Sequence, residues 1–248
     1  KIRIRMDKKS HHYVPKFYLR NFSQSKNRIG IFVHSNSMFF KEASIKHQAC
    51  KDLLYGETPE IENFFMSIEA RASVIIKSII ETYTLPEIDS EEYDILLFFL
   101  QLSEARVKMQ ADSSNNLATE QAKLMARMKN DHGELDIPDE IIDNIKAKHE
   151  IPNLTNIKVA AENYHIILDL KCTLIISNNN KRFITSDNPV TRYNYLYVKR
   201  NYQTRGYGLG NMGIQIFFPI SPRCCIYIYD NVMYKSNELN DMIILHKE

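Results

Sequence analysis

The chain has 248 residues, 44% of them hydrophobic and 25% charged, with a formal net charge of +2. This is the balance of an ordinary soluble globular protein, long enough for a real core and read here as one domain over residues 1–248. The near-neutral charge excludes a global pull toward nucleic acid or an anionic membrane, so any such attraction belongs to a local patch.

The run His11-His12-Tyr13-Val14-Pro15-Lys16-Phe17-Tyr18-Leu19-Arg20-Asn21-Phe22 joins two imidazoles, two cations and four aromatic rings. Proline suits the first turn of a helix, so Pro15 is expected to open a short one, with the histidines on the extended residues before it. The imidazoles would then lie beside the positive end of that helix, a place that favours anions. Arg28 to Val33 is β-branched and predicts a strand, paired with Met38 to Phe40 across the turn His34 to Ser37.

Thr58-Pro59-Glu60 is a helix start, and Ile61, Phe64, Phe65, Ile68, Ala72, Ile75, Ile76 and Ile79 follow at helical spacing. Ser90-Glu91-Glu92 opens a second helix that runs past Arg106. The polar stretch from Gln110 to Glu120 is expected to break it, and Gln121 to Met128 to resume it. Pro138-Asp139-Glu140 opens a third helix, and Asn153 to Asn156 cap a fourth that reaches about Leu168. Beyond Leu170 the pattern turns strand-like at Cys172 to Ile176, Phe183 to Thr185, Ile214 to Phe218 and Cys224 to Tyr229, with Asn178-Asn179-Asn180 as a tight hairpin turn. The expected fold class is α+β. A helical middle, about 59–169, packs on a mainly antiparallel sheet formed by N-terminal strands and the C-terminal strand-rich segment, about 171–230.

The longest apolar runs, Ile95 to Leu100 and Ile214 to Ile220, are too short to cross a bilayer, so no membrane partner is expected. Lys1 to Met6 lacks an apolar stretch after its charges and reads as no secretory signal, with Met6 as the natural start. Cys50, Cys172, Cys224 and Cys225 show neither framework nor metal spacing and read as small hydrophobes in a reducing cytoplasm. Scarce Gly, absent Trp and abundant Asn, Ile and Lys suggest an AT-rich bacterial or phage genome.

Four places carry candidate chemistry. In Phe183-Ile184-Thr185-Ser186-Asp187-Asn188-Pro189-Val190 an apolar strand ends in a polar elbow. There Asp187 either binds a metal ion or acts as a base, or it caps the turn. From Arg192 to Tyr207, cations alternate with tyrosines and no acid intervenes. Tyr195 and Arg200 in that stretch suit base stacking and phosphate contact, or simply a tyrosine-rich hairpin. Glu62 and Glu69 lie seven residues apart and share a helix face, with Arg106 on the next helix positioned to meet them, as a site or as a plain interhelical ion pair. Arg127 and His132 match the Arg-x4-His spacing of helical ribonucleases, a match expected by chance in a chain of this composition. Walker, dinucleotide, zincin and nucleophile-elbow motifs are absent.

His12-Tyr13-Val14-Pro15-Lys16-Phe17-Tyr18-Leu19-Arg20-Asn21-Phe22 resembles the His-x-Val-Pro-x-x-Tyr-Leu-x-x-Phe signature of the domain-of-unknown-function family 4238 of bacteria and phages. The acidic helix from Ile61 to Glu69, the helix closing on Arg106, Thr185 to Pro189 and Pro219 to Pro222 resemble the family's later segments in the same order. Where the family commonly continues Arg-Thr-Pro, this chain has Arg106-Val107-Lys108. The resemblance implies no established activity, but it favours histidine, acid, arginine and Asp-Asn as a site.

The first functional expectation is therefore a metal-dependent nuclease or related phosphodiester enzyme in phage–host conflict. His12 would move the proton, Glu69 and Asp187 would hold Mg²⁺ or Mn²⁺, and Arg106 would steady the phosphate. Lys16, Tyr18, Arg20, Asn188, Tyr195 and Arg200 would bind DNA, RNA or a nucleotide. The alternatives are a non-enzymatic nucleotide or nucleic-acid sensor, and a structural protein with a buried polar network.

Overall fold

The computed structural model describes residues 10–25, 27–52, 54–55, 59–149, 152–178, 180–235 and 242–245. At the N-terminal side, β1 (Ser10–His12) pairs antiparallel with β4 (Cys50–Asp52), placing His12 opposite Cys50. Pro15 is the N-cap of α1 (Lys16–Arg20), with extended φ −62 and ψ 143. With only five residues, α1 has little macrodipole, so any preference for anions here comes from side chains. β2 (Arg28–Val33) and β3 (Met38–Ser44) form an antiparallel hairpin with an irregularity between Ile29 and Ile31.

Three long helices follow. α2 (Pro59–Thr82) buries Phe65, Ala72, Ile75, Ile76 and Ile79, the face its apolar spacing predicts; the expected cap, Thr58, lies outside the described residues. α3 (Glu91–Ala105) starts at Ser90, whose Oγ accepts from the Tyr93 N–H at 3.1 Å. Its residues are buried on nearly every side, Leu96, Leu97 and Leu100 completely, as befits a helix walled in by others. α4 (Lys108–Asp131) runs unbroken through residues 110–120, contrary to expectation. Polar residues on an exposed face are adequate helix formers, and they do not interrupt a helix by polarity alone. The break falls earlier, at Arg106 and Val107, where Val107 turns to extended backbone and the Arg106 carbonyl accepts from Asn153 Nδ2 at 3.0 Å. α5 (Asp139–Asp143) and α6 (Pro152–Asn163) follow, and α6 passes into a 3-10 turn at Tyr164–Ile167.

The C-terminal segment contains β5 (Lys171–Ser177), β6 (Thr191–Tyr193), α7 (Tyr195–Lys199), β7 (Gln215–Pro219), β8 (Cys224–Tyr229) and β9 (Met242–Leu245). They form a five-stranded sheet in the order β6-β7-β8-β5-β9, antiparallel except for the parallel pair β5–β9. The architecture is α+β, as expected, but the N-terminal strands do not join this sheet; they stay in two separate two-stranded sheets. β9 takes the β5 edge, so that side is not open to an N-terminal strand. For the same reason Phe183 to Thr185 is not a strand: β8 and β9 occupy both edges of β5, and Phe183 is left with one N–H bond to the Pro222 carbonyl at 2.9 Å. Asn179, at the centre of the expected hairpin turn, lies outside the described residues.

All six residues of β8 are buried, including Cys224 and Cys225; Cys172 is buried, Cys50 is half-buried, and all four remain thiols. Val14, Ile45, Ile76, Leu96, Ile216 and Phe218 belong to one hydrophobic cluster that reaches from the N-terminal segment through the helices to the sheet. No helix among the described residues is long and apolar enough to cross a membrane.

Candidate functional site

β1, α1 and α2 bound a cleft of about 350 Å³ whose lining includes His11, His12, Lys16, Arg20, Glu62 and Glu69. Local periodicity explains the convergence. Lys16 and Arg20 are one turn apart on α1, and Glu62 and Glu69 two turns apart on α2, so each pair shares a face. Tyr55 and Phe65 add aromatic wall.

The two histidines are held differently, because neighbours on a strand point to opposite sides. His11 is buried; its Nδ1 accepts from the Tyr55 N–H at 3.2 Å, and its ring stacks on Tyr55 at 5.3 Å between centroids. An acceptor at Nδ1 puts the proton of the neutral ring on Nε2, which faces Glu62 Oε2 at 3.8 Å. His12 is bonded through Nε2 to the Lys46 carbonyl at 3.1 Å. Since a carbonyl only accepts, Nε2 carries a proton, and the basic lone pair of the neutral ring is on Nδ1.

Arg106, just past the end of α3, is only 1% exposed. Its Nη1 donates to Glu69 Oε1 at 2.7 Å, and the guanidinium carbon sits over Phe65 at 4.7 Å and Phe99 at 5.9 Å from the ring centres. Arg106 Nε and Nη2 and the Tyr55 hydroxyl are buried together and make no close, well-aligned hydrogen bond, although the guanidinium and the hydroxyl interact with each other. Burial pushes the Tyr55 hydroxyl up to about 12; the Arg106 charge opposes that rise, and Glu69 and Glu62 add to it. A buried cation thus stands behind the cleft, bonded to one of its lining carboxylates.

Among the expected site residues, His12, Glu69, Lys16 and Arg20 line this cleft, and Arg106 is bonded to it through Glu69. The others lie elsewhere. Tyr18 is 1% exposed, stacked on Phe218; its hydroxyl donates to the Pro219 carbonyl and is bonded to Thr185 Oγ1 at 2.8 Å, so it belongs to the core. Asp187 is exposed and is not among the cleft-lining residues, although its charge helps to raise the Tyr13 hydroxyl after burial has done most of it. Asn188 is held in the elbow, its N–H on Ser186 Oγ at 3.0 Å and its Nδ2 beside Met109 Sδ. Tyr195 and Arg200, at either end of α7, are exposed, and Arg200 Nη1 is bonded to the Tyr202 hydroxyl at 3.3 Å.

Among the described residues no three His, Cys, Asp or Glu side chains are grouped as a metal site, and Glu69 and Asp187 form no such cluster. In the Arg-x4-His pair, Arg127 bonds Asp143 on α5, and His132 is exposed at the end of α4. His11 is the functional candidate that the sequence pattern passed over. Strand alternation across adjacent histidines was the signal that one of them turns inward.

A family model described as Protein of unknown function (DUF4238) matches residues 10–247. No curated protein matches the chain, and no solved structure does.

Proposed function

The chain belongs to the DUF4238 family of proteins of unknown function, and from that premise we propose that the β1–α1–α2 cleft binds a phosphodiester of DNA or RNA and hydrolyses it. One observation carries this reading: two histidines, two glutamates and two basic residues line a single cleft, and a buried arginine is bonded to one of those glutamates. Lys16 and Arg20 would bind the phosphate oxygens and offset the charge that grows on them as water attacks phosphorus. The attacking water would give its proton to His12, and the resulting imidazolium would pass it to the departing oxygen. Glu62 would keep the His11 ring oriented, and Arg106 would hold Glu69 in place.

Glu62 and Glu69 offer two carboxylates to the cleft, which fits Mg²⁺ or Mn²⁺ because these ions complete their shells with phosphate oxygens and water. When bound, the ion would polarise the phosphate as a Lewis acid. Asp187 enters this reading only through the 183–190 elbow, and Asp187→Asn separates a cleft-only site from a larger one.

The test is cleavage of labelled single-stranded RNA and DNA by the purified protein with Mg²⁺, Mn²⁺ or EDTA. The wild type is expected to cut, and His12→Ala and Glu69→Gln to slow cutting by about 100-fold or more. A wild type that cleaves neither polymer under any of these conditions overturns hydrolysis. If it then shows only a nucleotide-dependent melting shift, the same lining serves recognition without turnover.

A further inference from the structure

A second cleft, of about 480 Å³, shares no lining residue with the first and has Gln101, Glu104, Gln110, Asn163, Arg192 and Leu209 among its walls. Arg192 Nη2 donates to Glu104 Oε2 at 2.6 Å, and Arg192 Nη1 to the Tyr207 carbonyl at 3.0 Å. Glu104 is 7% exposed, and Gln101 only 3%. Gln101 Nε2 and Arg192 Nε have no hydrogen-bond partner among the described residues. Two unsatisfied buried donors are a costly arrangement in a folded protein; each is itself closed to solvent, so an acceptor entering the cleft meets them only when the Gln101 or Arg192 side chain turns.

We propose that this cleft binds a neutral nucleobase, with guanine the best match, as a free nucleoside or nucleotide. Glu104 and Arg192 cancel each other's charge, so neither a bare anion nor a bare cation is favoured. Ala105, Val159 and Ala160 supply apolar surface for the faces of a planar ring. Guanine carries two adjacent donors, N1–H and the N2 amino group, which match the acceptor oxygens of Glu104. Its O6 acceptor, next along the same edge, matches the donors of Gln101 and Arg192. The cleft volume falls within the range of small-molecule sites. This inference does not depend on phosphodiester hydrolysis in the other cleft.

Calorimetric titration of the full chain with guanosine, adenosine, cytidine and uridine tests it. Guanosine is expected to bind, and the other three to bind about tenfold more weakly or worse, since each leaves a buried polar group unmatched. Glu104→Gln should lower guanosine affinity by about tenfold or more, because an amide cannot accept both guanine donors. Gln101→Leu and Ala160→Phe should do the same while the ligand-free protein stays folded: the first removes an unsatisfied amide, and the second fills a partly exposed wall position. No heat from any nucleoside at about 1 mM, equal affinity for adenosine, or guanosine binding unchanged in both Gln101→Leu and Ala160→Phe overturns the assignment.

Discussion

Arg106 holds its charge where water barely reaches, and one carboxylate answers it directly. Removing only that carboxylate is therefore the damaging change. Glu69→Gln should destabilise the fold by about 2–3 kcal/mol, toward the low end for a broken buried pair because Glu69 is 26% exposed. Arg106→Met together with Glu69→Gln should recover most of that loss, since no buried charge is left unanswered and the apolar contacts with Phe65 and Phe99 are retained. A double-mutant cycle by urea melting checks both outcomes. Glu104 makes a pH prediction of definite sign. Burial raises its carboxyl above the usual range, and Arg192 only partly opposes this. The folded state therefore binds the proton more tightly than the unfolded chain. Its contribution to stability is fully present below the unfolded pKa and is lost as pH rises from about 4 through the folded pKa. Relative to Glu104→Gln, the wild type should lose urea midpoint across that rise; a constant difference between the two would refute the linkage.

Among the elements, α2 is legible in the sequence because its apolar residues, from Ile61 to Ile79, keep a helical period for about five turns and it packs by one face. The polar run from Gln110 to Glu120 does not mark a break in α4, while the real interruption at Arg106–Val107 is tied to the distant Asn153 amide. Strand residues 183–185 were misread for a related reason: propensity does not reveal which sheet edges are already taken. The tyrosine-rich segment is organised by a residue that composition does not single out. Asn194 is fully buried, its Nδ2 donates to the Gly206 and Met212 carbonyls at 3.0 Å, and its Oδ1 accepts from the Tyr197 N–H. Gly206 has φ +62, and a Cβ there would come within 2.5 Å of the Tyr197 ring. Gly206→Ala should then cost about 1–3 kcal/mol through strain and overlap. It should also open residues 195–207 to limited proteolysis while the far-UV circular dichroism changes little.

Across the whole molecule, the signature at the N-terminus is fastened to the C-terminal sheet by one side chain. The Tyr18 hydroxyl bridges Pro219 and Thr185, and its ring lies flat on Phe218. Tyr18→Phe keeps the stacking and removes the bridge, so it should lower stability by about 1–3 kcal/mol. Because α1 also carries Lys16 and Arg20, any phosphate-dependent rise in Tm should shrink in the same variant. This tie explains why the candidate site was only partly readable from the chain. His12, Lys16 and Arg20 group by closeness in sequence, and Glu62 with Glu69 by a shared helix face. Whether Asp187 would reach them depended on the path of a loop. Tyr18 reads from the sequence as a binding residue, and only the position of β7 shows it packed in the core.

The register of β1 against β4 sets a half-buried thiol, Cys50, opposite His12, while burial shelters the three other thiols. A maleimide dye offered to the native protein should therefore attach at Cys50 alone, with one label per chain by mass spectrometry. That single fluorophore, rooted across the ribbon from the imidazole, would change brightness as guests enter and leave, and so would convert an accident of thiol placement into an optical gauge of occupancy.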